Sequence, residues 1–180
     1  MVINAMKNPI WIVRDYIRCT GCRRCEIVCS LRHEGKIWPE ASRIRVFMPF
    51  PGVEVPHLCA QCDDYPCVAS CPTEPKALSV DEQTGAVLTH EEACISCGNC
   101  ITACPGKIPY LHPATEKAVI CDLCGGDPEC VTVCTEAGYD ALRLVEEDVG
   151  VQKELHALEP DVVARDLAVN LFGEKGEEVL

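Results

Sequence analysis

The sequence predicts an α+β chain of two nested units made of short helices and small β-hairpins, with a C-terminal helix beyond them. Three observations predict it. Sixteen cysteines fall in four quartets of similar spacing. Short apolar runs of strand length lie between the quartets, and the segment 151–180, which has no cysteine, changes to a helical pattern.

The quartets are Cys19, Cys22, Cys25, Cys29; Cys59, Cys62, Cys67, Cys71; Cys94, Cys97, Cys100, Cys104; and Cys121, Cys124, Cys130, Cys134. The third reads C-x2-C-x2-C-x3-C-P. In that bacterial ferredoxin spacing three thiolates clamp one 4Fe-4S cluster and the fourth reaches across to another. The fold expected is therefore two nested bacterial two-cluster ferredoxin-like units.

Taken in order, 10–13 around Trp11 reads as an entering strand. Residues 42–48 alternate basic and apolar, as a half-exposed strand does. Pro49, Pro51 and Pro56 then read as a linker or irregular loop. Runs 77–80 and 86–89 flank a polar loop ending in Gly85 and form a hairpin, and 117–120 is a further short strand. Asp161 caps a helix to about Phe172, between Pro160 and Gly173. Val163, Leu167 and Leu171 share one face of it, which packs on its own domain or docks on a partner. The outer unit spans 1–58 and 106–150, the inner unit 59–105, and 151–180 is a C-terminal extension with helix 161–172.

In ferredoxin-like chains each quartet's last cysteine sits on a short helix aimed at the neighbouring cluster, so quartets work in reciprocal pairs. The second and third carry a trailing proline, Pro72 and Pro105, whereas the first and fourth do not. This pairing gives four sets. Cluster A takes Cys19, Cys22, Cys25 and Cys134; cluster B takes Cys121, Cys124, Cys130 and Cys29. Cluster C takes Cys59, Cys62, Cys67 and Cys104; cluster D takes Cys94, Cys97, Cys100 and Cys71.

Composition agrees with metal dependence. The 180 residues are 48% hydrophobic with cysteine counted, and only 5% aromatic. Metal binding supplies folding free energy that so thin a core lacks, so the cluster-free chain is expected to be largely unfolded. Zinc also takes four cysteines, but it leaves the x3 step before every last cysteine unexplained. Disulfides are the other use of many cysteines. However, no basic start, apolar run and cleavage site occur together near the N-terminus, and no run of about eighteen apolar residues exists. A reducing cytoplasm and no membrane span are expected.

Formal charge is −12, and four thiolate-ligated clusters would take it to about −20. Phosphate binding needs a basic surface, so nucleic acid is excluded as a natural partner; basic patches on proteins are the complement. Arg18, Arg23 and Arg24 crowd cluster A and should raise its potential, whereas Asp63, Asp64, Asp122, Asp127 and Glu129 should lower those of C and B. His33, His57, His90, His112 and His156 read as surface residues. No phosphate loop, dinucleotide fingerprint or hydrolase motif accompanies them, so no residue is expected to do bond chemistry on a substrate.

The quartet order, with its x4 and x5 variants in the second and fourth, resembles the iron–sulfur subunits of molybdenum and tungsten oxidoreductases such as the dimethyl sulfoxide reductase and formate dehydrogenase systems. The resemblance covers about residues 12–145. The stretch from Cys19-Thr20-Gly21-Cys22-Arg23-Arg24-Cys25-Glu26 through Cys29-Ser30-Leu31-Arg32-His33-Glu34-Gly35 to Ser42-Arg43-Ile44-Arg45-Val46 is more particularly similar to the small subunits of aldehyde ferredoxin oxidoreductase-type tungsten enzymes. That group includes aldehyde oxidoreductases and tungsten benzoyl-CoA reductase. The resemblance implies a non-catalytic relay of four 4Fe-4S clusters between a large tungsten- or molybdenum-pterin catalytic subunit and a flavin subunit or soluble ferredoxin. A free polyferredoxin and a module whose clusters are structural are the rival readings, and a wire with two exposed ends also permits head-to-tail self-association.

Overall fold

The computed structural model describes residues 10–146 and 151–178. Stretches 1–9 and 147–150 of the expected outer unit lie outside the described residues. Strand β1 (Trp11–Arg14) pairs antiparallel with β8 (Leu142–Val145), Trp11 opposite Val145, which closes the two ends of the cysteine-bearing region on each other. Between them lie three two-stranded antiparallel ribbons. These are β2 (Arg45–Phe50) with β3 (Val53–His57), β4 (Leu78–Val80) with β5 (Val87–Thr89), and β6 (Tyr110–Leu111) with β7 (Ala118–Val119). Together with the helices they make the ferredoxin-like α+β fold expected.

The prolines of 49–56 do not form a linker. They belong to the β2–β3 hairpin, whose turn is Pro51-Gly52, with Gly52 at φ 86°. Proline and glycine at the two centre positions suit a tight turn. Pro56 pairs with Val46, and a two-stranded ribbon tolerates it because an edge residue need not donate to a ladder.

Four helices each carry or end beside two cysteines spaced by four. These are α1 (Arg24–Glu34), α2 (Pro66–Ala69), α3 (Asn99–Ala103) and α4 (Glu129–Glu136). Residues four apart lie one above the other on one face. The trailing proline explains the length difference. Cys104 is extended (ψ 125°) ahead of Pro105 and stops α3 after five residues, whereas Ser30 and Thr135 let α1 and α4 run on for 11 and 8 residues. Helix α1 packs on α4, and α2 on α3.

The main core joins Ile12, Ile44, Leu58, Ile120, Leu123 and Leu142 to the buried cysteines. A second small core sits under the C-terminal segment. There α6 (Pro160–Phe172) lays Val163, Ala164 and Ala168 on Phe50, Val53 and Val55 of the β2–β3 ribbon. The helix thus packs on its own chain. Leu171 does not share the buried face as the four-residue spacing predicts: it is 48% exposed, because the buried stripe follows the i, i+1, i+5 positions Val163, Ala164 and Ala168. A further short helix, α5 (Val151–His156), precedes α6.

Candidate functional site

Four small cavities, about 10 to 30 Å³ each, lie among the described residues, and each is walled by four cysteines. One is lined by Cys19, Cys22, Cys25 and Cys134, and a second by Cys29, Cys121, Cys124 and Cys130. A third is lined by Cys59, Cys62, Cys67 and Cys104, and a fourth by Cys71, Cys94, Cys97 and Cys100. We label them A, B, C and D in that order. Cys25 and Cys29, one turn apart on α1, reach A and B. Cys130 and Cys134 on α4 reach B and A, so the two helices run antiparallel along the pair of cavities. Helices α2 and α3 repeat the arrangement for C and D.

The loops that wrap the cavities share one backbone device. Two residues after the first cysteine of every quartet the chain is left-handed: Gly21 (φ 65°), Gln61 (φ 54°), Ser96 (φ 59°) and Leu123 (φ 54°). Three of these four are not glycine, and each costs on the order of 1 kcal/mol or more in that conformation. Left-handed residues within such turns point successive N–H groups into one concavity, which favours anions and recurs at iron–sulfur sites. Backbone N–H groups also reach sulfur directly. Arg43 N donates to Cys29 Sγ at 3.2 Å, and Ile108 N and Ala118 N donate to Cys104 and Cys94 at 3.5 Å.

None of the cysteines is disulfide-bonded. Burial pushes the thiols up, Cys25 and Cys59 to about 12 and Cys67 to about 11, and Cys121 and Cys130 rise as well. Thiols held this way stay protonated in neutral water, and a metal that binds the sulfur displaces the proton outright. Four convergent sulfur donors, a dry wall and inward N–H groups fit a thiolate-ligated cube.

The cavities stand in the order A, B, C, D. Cys130 in B is within electrostatic reach of Cys25 in A, Cys121 in B of Cys59 in C, and Cys67 in C of Cys100 in D. Cys22 at one end of the row and Cys97 at the other are the exposed cysteines. Beside these ends Ile17 and Ile95 are 65% and 64% exposed.

The charges near the cavities differ from the sequence expectation. Arg18 and Arg23 beside A are half exposed and paired, with Asp140 at 3.6 Å and Glu26 at 3.5 Å, so much of their field is cancelled or screened. The histidines are not a surface set. His57, His112 and His156 are buried, His33 is nearly so, and His90 alone is exposed. His33 bridges Cys29 O, at 2.9 Å, and the Asp122 carboxylate, at 3.2 Å. Burial opposes its charge, but Asp122 and Cys29 outweigh that and lift it to about 9. His57 Nε2 donates to Gly106 O at 2.8 Å. The sequence hides these roles, because Asp122 for His33 and Gly106 for His57 are remote along the chain.

The fold and the four sulfur-walled cavities define an iron–sulfur protein. Residues 52–144 match the 4Fe-4S dicluster domain, and the chain belongs to that family. Its sixteen cysteines fit four 4Fe-4S clusters. The chain is 56% identical to the polyferredoxin-like subunit of aliphatic sulfonate oxidoreductase of Pyrococcus furiosus, over 94% of this chain and 96% of the relative. It is 31% identical to the thiosulfate reductase electron transfer subunit of Salmonella typhi, over 96% of each. It is 35% identical to one of the polysulfide reductase chains of Wolinella succinogenes, over 72% of this chain and 73% of the relative. Relatives with these names bear out the resemblance to iron–sulfur subunits of oxidoreductases. The active-site complex of benzoyl coenzyme A reductase aligns over 94% of each chain at 22% identity and a TM-score of 0.44, too low to bear on function. Among the described residues no helix is long and apolar enough to cross a membrane.

Proposed function

We propose that the chain is a four-cluster electron relay whose ligand sets are the four cavity walls: Cys19, Cys22, Cys25, Cys134 for A; Cys29, Cys121, Cys124, Cys130 for B; Cys59, Cys62, Cys67, Cys104 for C; and Cys71, Cys94, Cys97, Cys100 for D. When bound, each 4Fe-4S cube accepts and releases one electron. The observation that carries the reading is the succession of four sulfur-walled cavities, each neighbouring the next, with the exposed cysteines Cys22 and Cys97 in the first and the last. The protein's part is to hold sixteen thiolates and aim N–H groups at the sulfurs.

In this reading 59–105 is an inner two-cluster unit nested in an outer one formed by 1–58 and 106–150, with 151–180 covering one side. The ends by Cys22 and Cys97 are the entry and exit. One faces a large tungsten- or molybdenum-pterin subunit and the other a flavin subunit or soluble ferredoxin, as the sequence resemblance implies; the named relatives are themselves subunits of oxidoreductases. Sixteen cysteines committed to cluster ligation and not to disulfides suit a reducing cytoplasm. The test is anaerobic co-purification followed by rapid mixing with the partner's substrate. Bleaching of the cluster absorption within one turnover is expected, and clusters that stay oxidised through turnover would overturn the reading.

A further inference from the structure

Arg14 ends β1 with its guanidinium in the core, 3% exposed. Nη1 donates to His156 O at 2.8 Å, and Nη2 donates to Leu58 O and Cys59 O at 2.5 and 2.9 Å. Among the described residues no carboxylate forms an ion pair with it. Its Nε has no hydrogen-bond partner. The same holds for Oε1 of the neighbouring buried Gln61, whose Nε2 donates to Cys121 O at 3.5 Å.

Arginine does not shed its charge in proteins. An unpaired buried cation is strongly disfavoured, and neutral carbonyls solvate it without cancelling it. The other titratable groups around it, Tyr16, His57 and His156, supply no anion in their ordinary neutral forms. What does lie within its field is Cys59 of cavity C and Cys121 of cavity B. The guanidinium therefore sits at the junction of the two central sites, where thiolate-ligated cubes bring net negative charge.

We propose that Arg14 is the buried counter-charge shared by clusters B and C, raising the reduction potentials of the two inner members of the row. The proposal rests on the four-cluster reading above. A fixed cation favours the reduced, more negative cube at each of the two sites. Half-exposed, ion-paired arginines at cluster A cannot act with comparable strength, since solvent screens them.

The test is potentiometric titration, followed by electron paramagnetic resonance, of the full chain isolated anaerobically with its clusters. Wild type is compared with Arg14→Gln, which keeps donors without charge, and Arg14→Lys, which keeps charge with fewer donors. In Arg14→Gln two of the four potentials should fall by at least about tenfold in the reduction equilibrium, 59 mV for a one-electron couple, while Arg14→Lys stays near wild type. If the glutamine chain fails to load clusters and the lysine chain loads them, the charge requirement stands. The proposal is overturned if a loaded Arg14→Gln titrates as wild type, if all four potentials fall alike, if Arg14→Lys falls as far as Arg14→Gln, or if neither variant loads. Failure of the underlying reading is distinct, because wild type itself would then lack four cubane signals.

Discussion

Tyr16 and His156 stand 140 positions apart and share one hydrogen bond, 2.5 Å from Oη to Nδ1. The other ring nitrogen, Nε2, accepts the backbone N–H of Arg14 at 3.5 Å, which leaves Nδ1 protonated and donating to the tyrosine. The ring also lies 5.5 Å from that of Trp11, centre to centre. The segment beyond the fourth quartet is thereby tied to the strand that precedes the first.

This contact predicts a pH dependence. Burial, then the charge of Arg14, lowers His156 from 6.5 to about 3, so the folded chain keeps it neutral where the unfolded chain protonates it. Its stabilisation is full above pH 6.5 and is lost as the pH falls toward about 3, at up to about 1.4 kcal/mol per pH unit. Denaturation midpoints of the anaerobic holoprotein between about pH 7.5 and 5 should fall more steeply in wild type than in His156→Phe. Parallel slopes would show that the charged ring is accommodated.

Gly106 predicts how tightly the C-terminal segment is held against cavity C. A Cβ there would lie 2.7 Å from Ala157 O, 3.1 Å from Leu158 O and 3.1 Å from His57 Cε1. Gly106→Ala should cost about 1–3 kcal/mol and raise amide exchange through α6 while leaving β4 and β5 protected. Unchanged exchange in α6 would refute the contact.

The left-handed turns predict a two-part cost at Gly21. Its φ is 65°, and a Cβ would meet the Glu54 carboxylate at 2.6 Å. Gly21→Ala should lose about 1 kcal/mol from conformation and a smaller part from the collision, because the Glu54 carboxylate is the far end of a flexible side chain that can turn aside. Adding Glu54→Ala should restore the second part only, as read from thermal midpoints of the cluster-loaded chain. Full restoration would mean that the backbone conformation is free of strain.

Removing the clusters should unfold the chain. The main core is built around cysteines, and the metal supplies folding free energy that the remaining side chains do not. Amide exchange of a cluster-free anaerobic preparation should show little protection in α1 and α4. Protection at holo levels would contradict this.

Much of the site was legible in the sequence because inorganic ligation demands fixed spacing. The quartets, the hairpin between Leu78 and Thr89 and the C-terminal helix follow from local rules. Three features did not. The prolines at 51 and 56 carry loop statistics, yet both strands of a two-stranded ribbon are edge strands, where Pro56 is tolerated. Histidine burial depends on partners far along the chain, as with His33 and Asp122 or His156 and Tyr16. Arg14 follows the apolar run 10–13 without any motif to mark it, and only the fold reveals that its guanidinium is buried against Leu58 and Cys59.

The most direct measurement of the central claim is the iron and labile sulfide content of two double variants, prepared anaerobically beside wild type. Cys19→Ala with Cys134→Ala removes two thiols from one cavity wall, whereas Cys121→Ala with Cys134→Ala removes thiols from two. The crosswise sets predict that the first variant loses the iron of one cluster and the second that of two. Loss of two clusters in the first and one in the second would mean that each sequence quartet binds its own cluster, and the crosswise relay would be contradicted.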